Sequence, residues 1–206
     1  MKNRSKSDRR RRDVEPATNS HYYSPNTGAR SAGRERELRT RIAGIDMRFE
    51  TDGGVFSRGH IDFGSRVLLE TFRMRVPVHQ KPEETLPMRI ADLGCGYGAI
   101  GLTLAASYPY AHVDMADVNE RAVALARRNA ELNRVADRTD PVVTDLAAHI
   151  PPDTDATSHA DAAPDTTDRF APARYDYVLT NPPIRAGKAV VFAFYKLAHE
   201  LLRSGG

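Results

Sequence analysis

Apolar and polar positions along this chain follow two periods in turn. Short apolar runs at Met88–Leu93, 112–117, 141–145 and 175–180 are each followed by a stretch of different rhythm. Runs this short and continuous predict strands buried on both faces. The stretch after the first run begins with a glycine-rich turn, Gly94-Cys95-Gly96-Tyr97-Gly98-Ala99-Ile100-Gly101, and predicts a helix through Leu104. After the second, Asn119 is placed to cap a helix reaching about Asn133, with Ala122, Val123, Ala126 and Ala130 on one face. After the last, a helix from about Ala189 sets Val190, Phe194, Leu197, Ala198 and Leu201 on one face, with Gly205-Gly206 as its stop. Strand and helix in alternation predict an α/β fold, a doubly wound parallel sheet.

The first half of the chain follows another rhythm. Met47 to Thr51 alternates like a strand, Asp52-Gly53-Gly54 is a turn, and Val55-Phe56-Ser57 starts a return, which together predict a hairpin. The charged stretch 34–41 reads as short helix or loop. Asp62-Phe63-Gly64-Ser65 reads as a helix entry, with Val67, Leu68, Leu69 and Phe72 on the face behind it. Residues 79–87 read as a linker. Residues 151–173, rich in proline, aspartate, alanine and threonine, read as a disordered acidic insertion. Such a loop is tolerated, since each doubling of its length adds only about 0.6 kcal/mol of closure entropy.

The organisation expected is a disordered basic tail over 1–20 and one domain over 21–206. Within that domain the hairpin and first helix occupy 45–78 and the parallel core 88–206. The tail carries Lys2, Arg4, Lys6 and the run Arg9-Arg10-Arg11-Arg12 with almost nothing apolar. It is either a phosphate-seeking arm or a solubilising extension. The 206 residues carry a formal net charge of only +3, so the uneven spread matters more than the sum. No apolar run has the length of a membrane span and no signal-peptide pattern opens the chain, so a cytoplasmic protein is expected. The single cysteine, Cys95, excludes an intrachain disulfide and a multi-cysteine metal centre, and the seven scattered histidines give no metal-ligand spacing. No metal is expected.

Candidate chemistry gathers at the strand ends, where ligands sit in open α/β sheets. Gly96-x-Gly98-x-x-Gly101 matches the dinucleotide fingerprint, and Asp117 lies about where a ribose-binding acid belongs, so a nicotinamide dehydrogenase is a rival reading. Three features count against it. Asp92 stands two residues before Gly94 and is placed to hold an ammonium group. Asp145 ends the third run, where an adenine amine would lie. Asn181-Pro182-Pro183 closes the fourth, and an amide braced by two stiff prolines suits the holding of a flat amine, whereas hydride transfer has no use for it.

These residues resemble the class I S-adenosylmethionine-dependent methyltransferases, and more narrowly the methyltransferase small domain family, which includes ribosomal RNA guanine-N2 methyltransferases. The likeness runs from about His21 to Gly206 and rests on Asp52-Gly53-Gly54-Val55-Phe56-Ser57, Asp62-Phe63-Gly64-Ser65, Asp92 through Gly98, Asp117-Val118-Asn119 and the octet Asn181-Pro182-Pro183-Ile184-Arg185-Ala186-Gly187-Lys188. The resemblance implies a Rossmann-like sheet with S-adenosylmethionine as cofactor. Gly94, Gly96 and Gly98 would pass under its methionyl part, with Asp92 near its amino group, Asp117 on the ribose and Asp145 facing the adenine amine. Asn181 and the Pro182 carbonyl would accept hydrogen bonds from the exocyclic amine of a guanine in ribosomal RNA, free or in the small subunit, with Pro183 bracing them. Phe56 is the candidate to stack on the base, although it suits a core position as well, and Arg185 and Lys188 are candidates for flanking phosphates. Ile184 stands where an aromatic often follows the two prolines. A protein-glutamine methyltransferase and an inactive RNA-binding remnant are the other readings. In the family the sheet has three more strands beyond the last helix predicted here, so a chain lacking them, a truncated product or a fragment, is expected.

Overall fold

The strand β3, Met88–Leu93, lies between two parallel neighbours, β4 (Ala111–Asp117) and β6 (Tyr177–Thr180). This computed structural model describes residues 36–52, 60–72, 87–146, 170–184 and 187–204. The sheet is completed by β5, Thr139–Val143, in the order β5-β4-β3-β6, every pairing parallel. Alternation along β3 sorts side chains to two faces. Ile90 joins a core with Val113 and Met115 of β4 on one face, while Ala91, Leu93 and Ala116 belong to a second core on the other.

The first face is covered by α1 (Phe63–Thr71), α2 (Ala99–Ser107) and α3 (Glu120–Leu132). Helix α2 is buried along nearly its whole length, from Ala99 to Ala105, so its sequence shows no polar stripe. The second face is covered by α4, Lys188–Leu201, through Phe194, Leu197 and Leu201. Helices on both faces of a parallel sheet confirm the doubly wound fold.

The hairpin described lies ahead of the turn expected at 52–54. Its strands are β1 (Arg36–Ile42) and β2 (Ile45–Thr51), joined at Ala43-Gly44, both with positive φ (50° and 82°). That is the primed turn that matches strand twist. The charged stretch read as helix or loop is therefore the first strand. Leu38 faces Phe49, Thr40 faces Met47 and Ile42 faces Ile45 toward the core, while Glu37, Arg39 and Arg41 face outward with Glu50, Arg48 and Asp46. Glu37 takes hydrogen bonds from Arg39 (2.7 Å) and Arg48 (3.0 Å) across that outer face. Charge on one face hid the alternation on the other. The expected return over 55–57 lies outside the described residues.

Asn129 of α3 and the helix's C-cap, Asn133, occupy the free edge of β2. Asn129 donates to the Glu50 carbonyl (3.0 Å) and accepts from the Glu50 N–H (2.7 Å), and Asn133 does the same for Arg48 (2.6 and 3.0 Å). Four residues of helix rise about 6 Å and two residues of strand about 6.6 Å, so the spacings match. Asn129 also donates to the Tyr97 carbonyl (2.9 Å), tying the hairpin to the glycine loop.

Other boundaries shift. The strand expected at 141–145 runs two residues earlier; Pro141 is accommodated because β5 is the sheet's edge, and Asp145 falls beyond its end. Tyr175 is not part of β6; its N–H bonds the Leu201 carbonyl (3.0 Å), its carbonyl takes the Arg203 N–H (2.9 Å), and it forms an isolated bridge with Leu202. Phe170, expected within the disordered insertion, is buried and stacks on Tyr175 at 6.0 Å. Residues 147–169 and 1–35 lie outside the described residues, as does the expected Gly205-Gly206 stop. On α1, Leu69 is buried, Leu68 and Phe72 pack against the core, and Val67 is exposed instead of joining them.

Asn129 is fully buried and satisfies three backbone groups, the Glu50 N–H and carbonyl and the Tyr97 carbonyl. Replacing Asn129 by alanine is expected to lower unfolding free energy by about 2–4 kcal/mol in urea titration, because each buried group left unpaired costs roughly 1–3 kcal/mol. Asn133→Ala, at a half-buried position, is expected to lose about 1 kcal/mol or less.

Candidate active site

Parallel register sets the site. Leu93 of β3 pairs with Ala116 of β4 and Thr180 of β6, and Val143 of β5 pairs with Asp117. The next residues along β3, β4 and β6, Gly94, Asp117 and Asn181, therefore stand in one row at the carboxyl edge, level with Val143, and Thr144 follows one step beyond. Backbone bonds hold the row: Gly94 N–H to the Ala116 carbonyl (2.8 Å) and Thr144 N–H to the Asp117 carbonyl (3.0 Å). The Thr180 hydroxyl donates to the Leu93 carbonyl (2.8 Å). All four residues line one cleft, together with Val118, Leu146, Pro183 and Phe194.

The glycine loop turns tightly above β3. Gly96 has φ +57°, and a Cβ there would meet nothing within 4 Å, so the loop's outer side is open space. Asp117 clamps the loop: one carboxylate oxygen accepts from the Gly96 N–H (2.8 Å) and the other from the Asn119 N–H (2.9 Å). The carboxylate keeps acceptor capacity for a ligand hydroxyl. Burial pushes the Asp117 carboxyl up, against the N–H groups of Asn119, Gly96 and Val118 that hold it down.

Asp92 lies beneath the loop, not on its surface, with no solvent exposure. One oxygen accepts from the Gly101 N–H at the start of α2 (2.8 Å); the other is buried without a partner. Burial pushes this carboxyl up to about 7, the Gly101 N–H opposes the shift, and the charge of Asp117 adds to it. Burial likewise raises the Cys95 thiol, which disfavours its thiolate.

Asn181 is half-buried and points its amide nitrogen at α1. Nδ2 donates to Asp62 Oδ1 (2.8 Å) and to Ser65 Oγ (3.1 Å). Asp62 is also the N-cap of α1, accepting from the Ser65 N–H (3.1 Å). The sequence showed Asp62 and Ser65 as a helix entry only; their tie to Asn181 spans more than a hundred residues and leaves no local signal.

Of the other expected site residues, Pro182 and Pro183 are half-buried and Pro183 lines the cleft. Gly98 opens α2 in a left-handed conformation (φ +97°). Asp145 is exposed; its neighbours Thr144 and Leu146 line the cleft. Ile184, next to Pro183, is exposed, and Lys188 is the exposed first residue of α4. Phe56 and Arg185 lie outside the described residues. Sequence reasoning passed over Val118, Thr144, Leu146 and Phe194 as site residues; Phe194 lies against Gly94 while its helix face belongs to the core, so its periodicity marks it as core alone. Among the described residues no three His, Cys, Asp or Glu side chains are grouped to hold a metal, and no helix is long and apolar enough to cross a membrane.

A model of the family described as methyltransferase small domain matches residues 46–157 and 153–206. The chain belongs to that family. It is 38% identical over 186 residues to a Bacillus subtilis protein described as uncharacterized protein YbxB, covering 90% of this chain and 77% of that one. It is 31% identical over 157 residues to ribosomal RNA small subunit methyltransferase C of Hahella chejuensis, covering 74% of this chain and 36% of that protein. Among solved structures it is similar to the T. thermophilus 16S rRNA N2 G1207 methyltransferase in complex with AdoMet and guanosine, with 29% identity, a TM-score of 0.60, and 84% of this chain and 40% of that chain covered. The chain thus spans less than half the length of the two methyltransferases so named. The open glycine loop, the clamped Asp117 and the unpartnered buried oxygen of Asp92 fit S-adenosylmethionine, a cofactor with ribose hydroxyls and an ammonium group.

The raised Asp92 carboxyl carries a linkage consequence. Its folded value, about 7, lies above its ordinary value of 3.8, so the folded state holds the proton more tightly. The stability this supplies is complete below 3.8 and is lost as pH rises through about 7. Asp92→Asn is expected to remove that slope, so its melting temperature should gain on wild type between about pH 5 and pH 8 in differential scanning calorimetry.

Proposed function

We propose that this chain transfers the methyl group of S-adenosylmethionine to the exocyclic N2 amine of a guanine in ribosomal RNA. The observation that carries this reading is the single row in which Gly94, Asp117 and Asn181 stand, so that cofactor residues and an amine acceptor share one cleft. When bound, the cofactor supplies a methyl already activated on sulfur, so the chain's task is positioning. Gly94, Gly96 and Gly98 form the floor for the methionyl part, Asp92 answers its ammonium charge from below, and Asp117 accepts from the ribose. Val118 and Leu146 give an apolar lining for the adenine, with Asp145 the acceptor proposed for its amine. Asn181 Oδ1 and the Pro182 carbonyl accept from the target amine, Pro183 bracing them. No strong base is required, because the nitrogen becomes acidic only as it is alkylated.

RNA as the substrate is supported by the relatives' names and by the outer face of α4. Lys188, Phe192, Tyr195 and His199 share the face opposite Phe194, Leu197 and Leu201, and Phe192 and Tyr195 are 68% and 54% exposed. Aromatics interleaved with basic groups suit stacked bases and phosphates. Ile184 and Lys188, with Phe56 and Arg185, are the proposed contacts to the target base and its flanks. This reading puts the chain in the cytoplasm with ribosomal RNA or the small subunit as partner, and needs neither metal nor membrane.

Incubation with labelled S-adenosylmethionine and unmodified small-subunit particles, followed by nucleoside analysis, is expected to give N2-methylguanosine, with Asn181→Ala slower by a hundredfold or more, on the order of one lost transition-state contact. Label in protein glutamine and none in RNA would reverse the substrate class, and no heat on calorimetric titration with the cofactor would leave an RNA-binding remnant. Phe192→Ala with Tyr195→Ala is expected to weaken RNA binding at least about fivefold in fluorescence anisotropy, since each stacked base contributes roughly 1–3 kcal/mol.

A further inference from the structure

We infer that Asp62 and Ser65 are positioning residues that hold the Asn181 amide with its carbonyl oxygen toward the reacting group, so that the site accepts only a nucleophile that carries a hydrogen. The inference rests on the methyltransferase reading above and adds the rule by which the site chooses its atom.

An asparagine amide can face a site with either end, and the two ends select opposite partners. Here both hydrogens of Asn181 Nδ2 are already engaged, one by Asp62 Oδ1 (2.8 Å) and one by Ser65 Oγ (3.1 Å). Turning the amide over would set its oxygen 2.8 Å from a carboxylate, acceptor against acceptor. Gly64 makes the arrangement possible: a Cβ at that position would lie 3.0 Å from Asn181 Oδ1 and 3.3 Å from both Cγ and Nδ2. Asp62 Oδ1 serves two donors, the Ser65 N–H that begins α1 and the Asn181 amide, so the helix start and the amide orientation share one oxygen. What remains to face the cleft is Oδ1, which accepts and cannot donate. An amine or amide nitrogen meets it well. A ring nitrogen without hydrogen, such as guanine N7, does not.

The substitutions separate capping from positioning. Asp62→Ser keeps an N-cap oxygen for the Ser65 N–H but is too short to reach Asn181. Asp62→Asn keeps an amide oxygen able to accept both hydrogen bonds. The lock requires Asp62→Ser to lose at least about tenfold in kcat, with melting temperature and cofactor affinity close to wild type. It requires Asp62→Asn to retain most of kcat. Wild-type kcat in Asp62→Ser, equal loss in both folded variants, or 7-methylguanosine as the wild-type product would overturn it. Should Asp62→Ser fail to fold, Ser65→Ala removes one bond to Asn181 while sparing the cap, and the same loss is expected.

A readout independent of activity is the Asn181 side-chain amide signal in ¹⁵N-correlated NMR, assigned by its loss in Asn181→Ala. Its protons are expected to exchange slowly in wild type and fast in Asp62→Ser; equal exchange rates would overturn the lock. A chain that labels no RNA yet shows the protected amide would refute the substrate reading and leave the positioning intact.

Discussion

The pairing of β3 with β4 on one side and β6 on the other is the constraint from which the site follows. Parallel register is rigid: a slip by one residue would send every buried side chain to the opposite face. Because Leu93, Ala116 and Thr180 are locked level, three unrelated segments release their chains at the same height. A glycine, an aspartate and an asparagine then stand side by side without any direct bond among their side chains. The chemistry is thus placed by backbone hydrogen bonds formed several residues away.

Holding that row has an electrostatic cost, and the structure meets it with backbone donors. Two carboxylates, Asp92 and Asp117, are buried within the same loop region. Asp117 satisfies both oxygens with N–H groups and keeps part of its surface on the cleft. Asp92 satisfies one oxygen and leaves the other unpaired in an apolar setting, which favours its protonated form. A cationic ligand group nearby would reverse that preference, so cofactor binding and the charge of Asp92 are coupled through the floor of the cleft.

How much of this was legible in the sequence depends on how local each signal was. The parallel strands, the glycine turn and the Asn119 cap announced themselves within a few residues, and the structure keeps them. The hairpin did not, because its turn is Ala43-Gly44 and its outer face is so charged that Arg36–Ile42 hardly reads as a strand. The β5 boundary slipped because a proline inside a strand reads as a start, and only the strand's place at the sheet edge makes it a middle. The part played by Asp62 was illegible in principle: its first duty, capping α1, explains its identity fully and hides the second.

Asn129 of α3 and the helix's C-cap, Asn133, have a consequence beyond holding the hairpin. A two-stranded ribbon normally offers a free row of amides and carbonyls to any passing strand, and is an invitation to edge-to-edge association. Here Asn129 and Asn133 occupy the row at Glu50 and Arg48, one helical turn matched to two strand residues. At Glu50 and Arg48 the ribbon is therefore closed to pairing with a neighbouring strand. A short helical segment thus takes the place of a terminal strand along part of the ribbon, while its Asn129 also holds the glycine loop through the Tyr97 carbonyl.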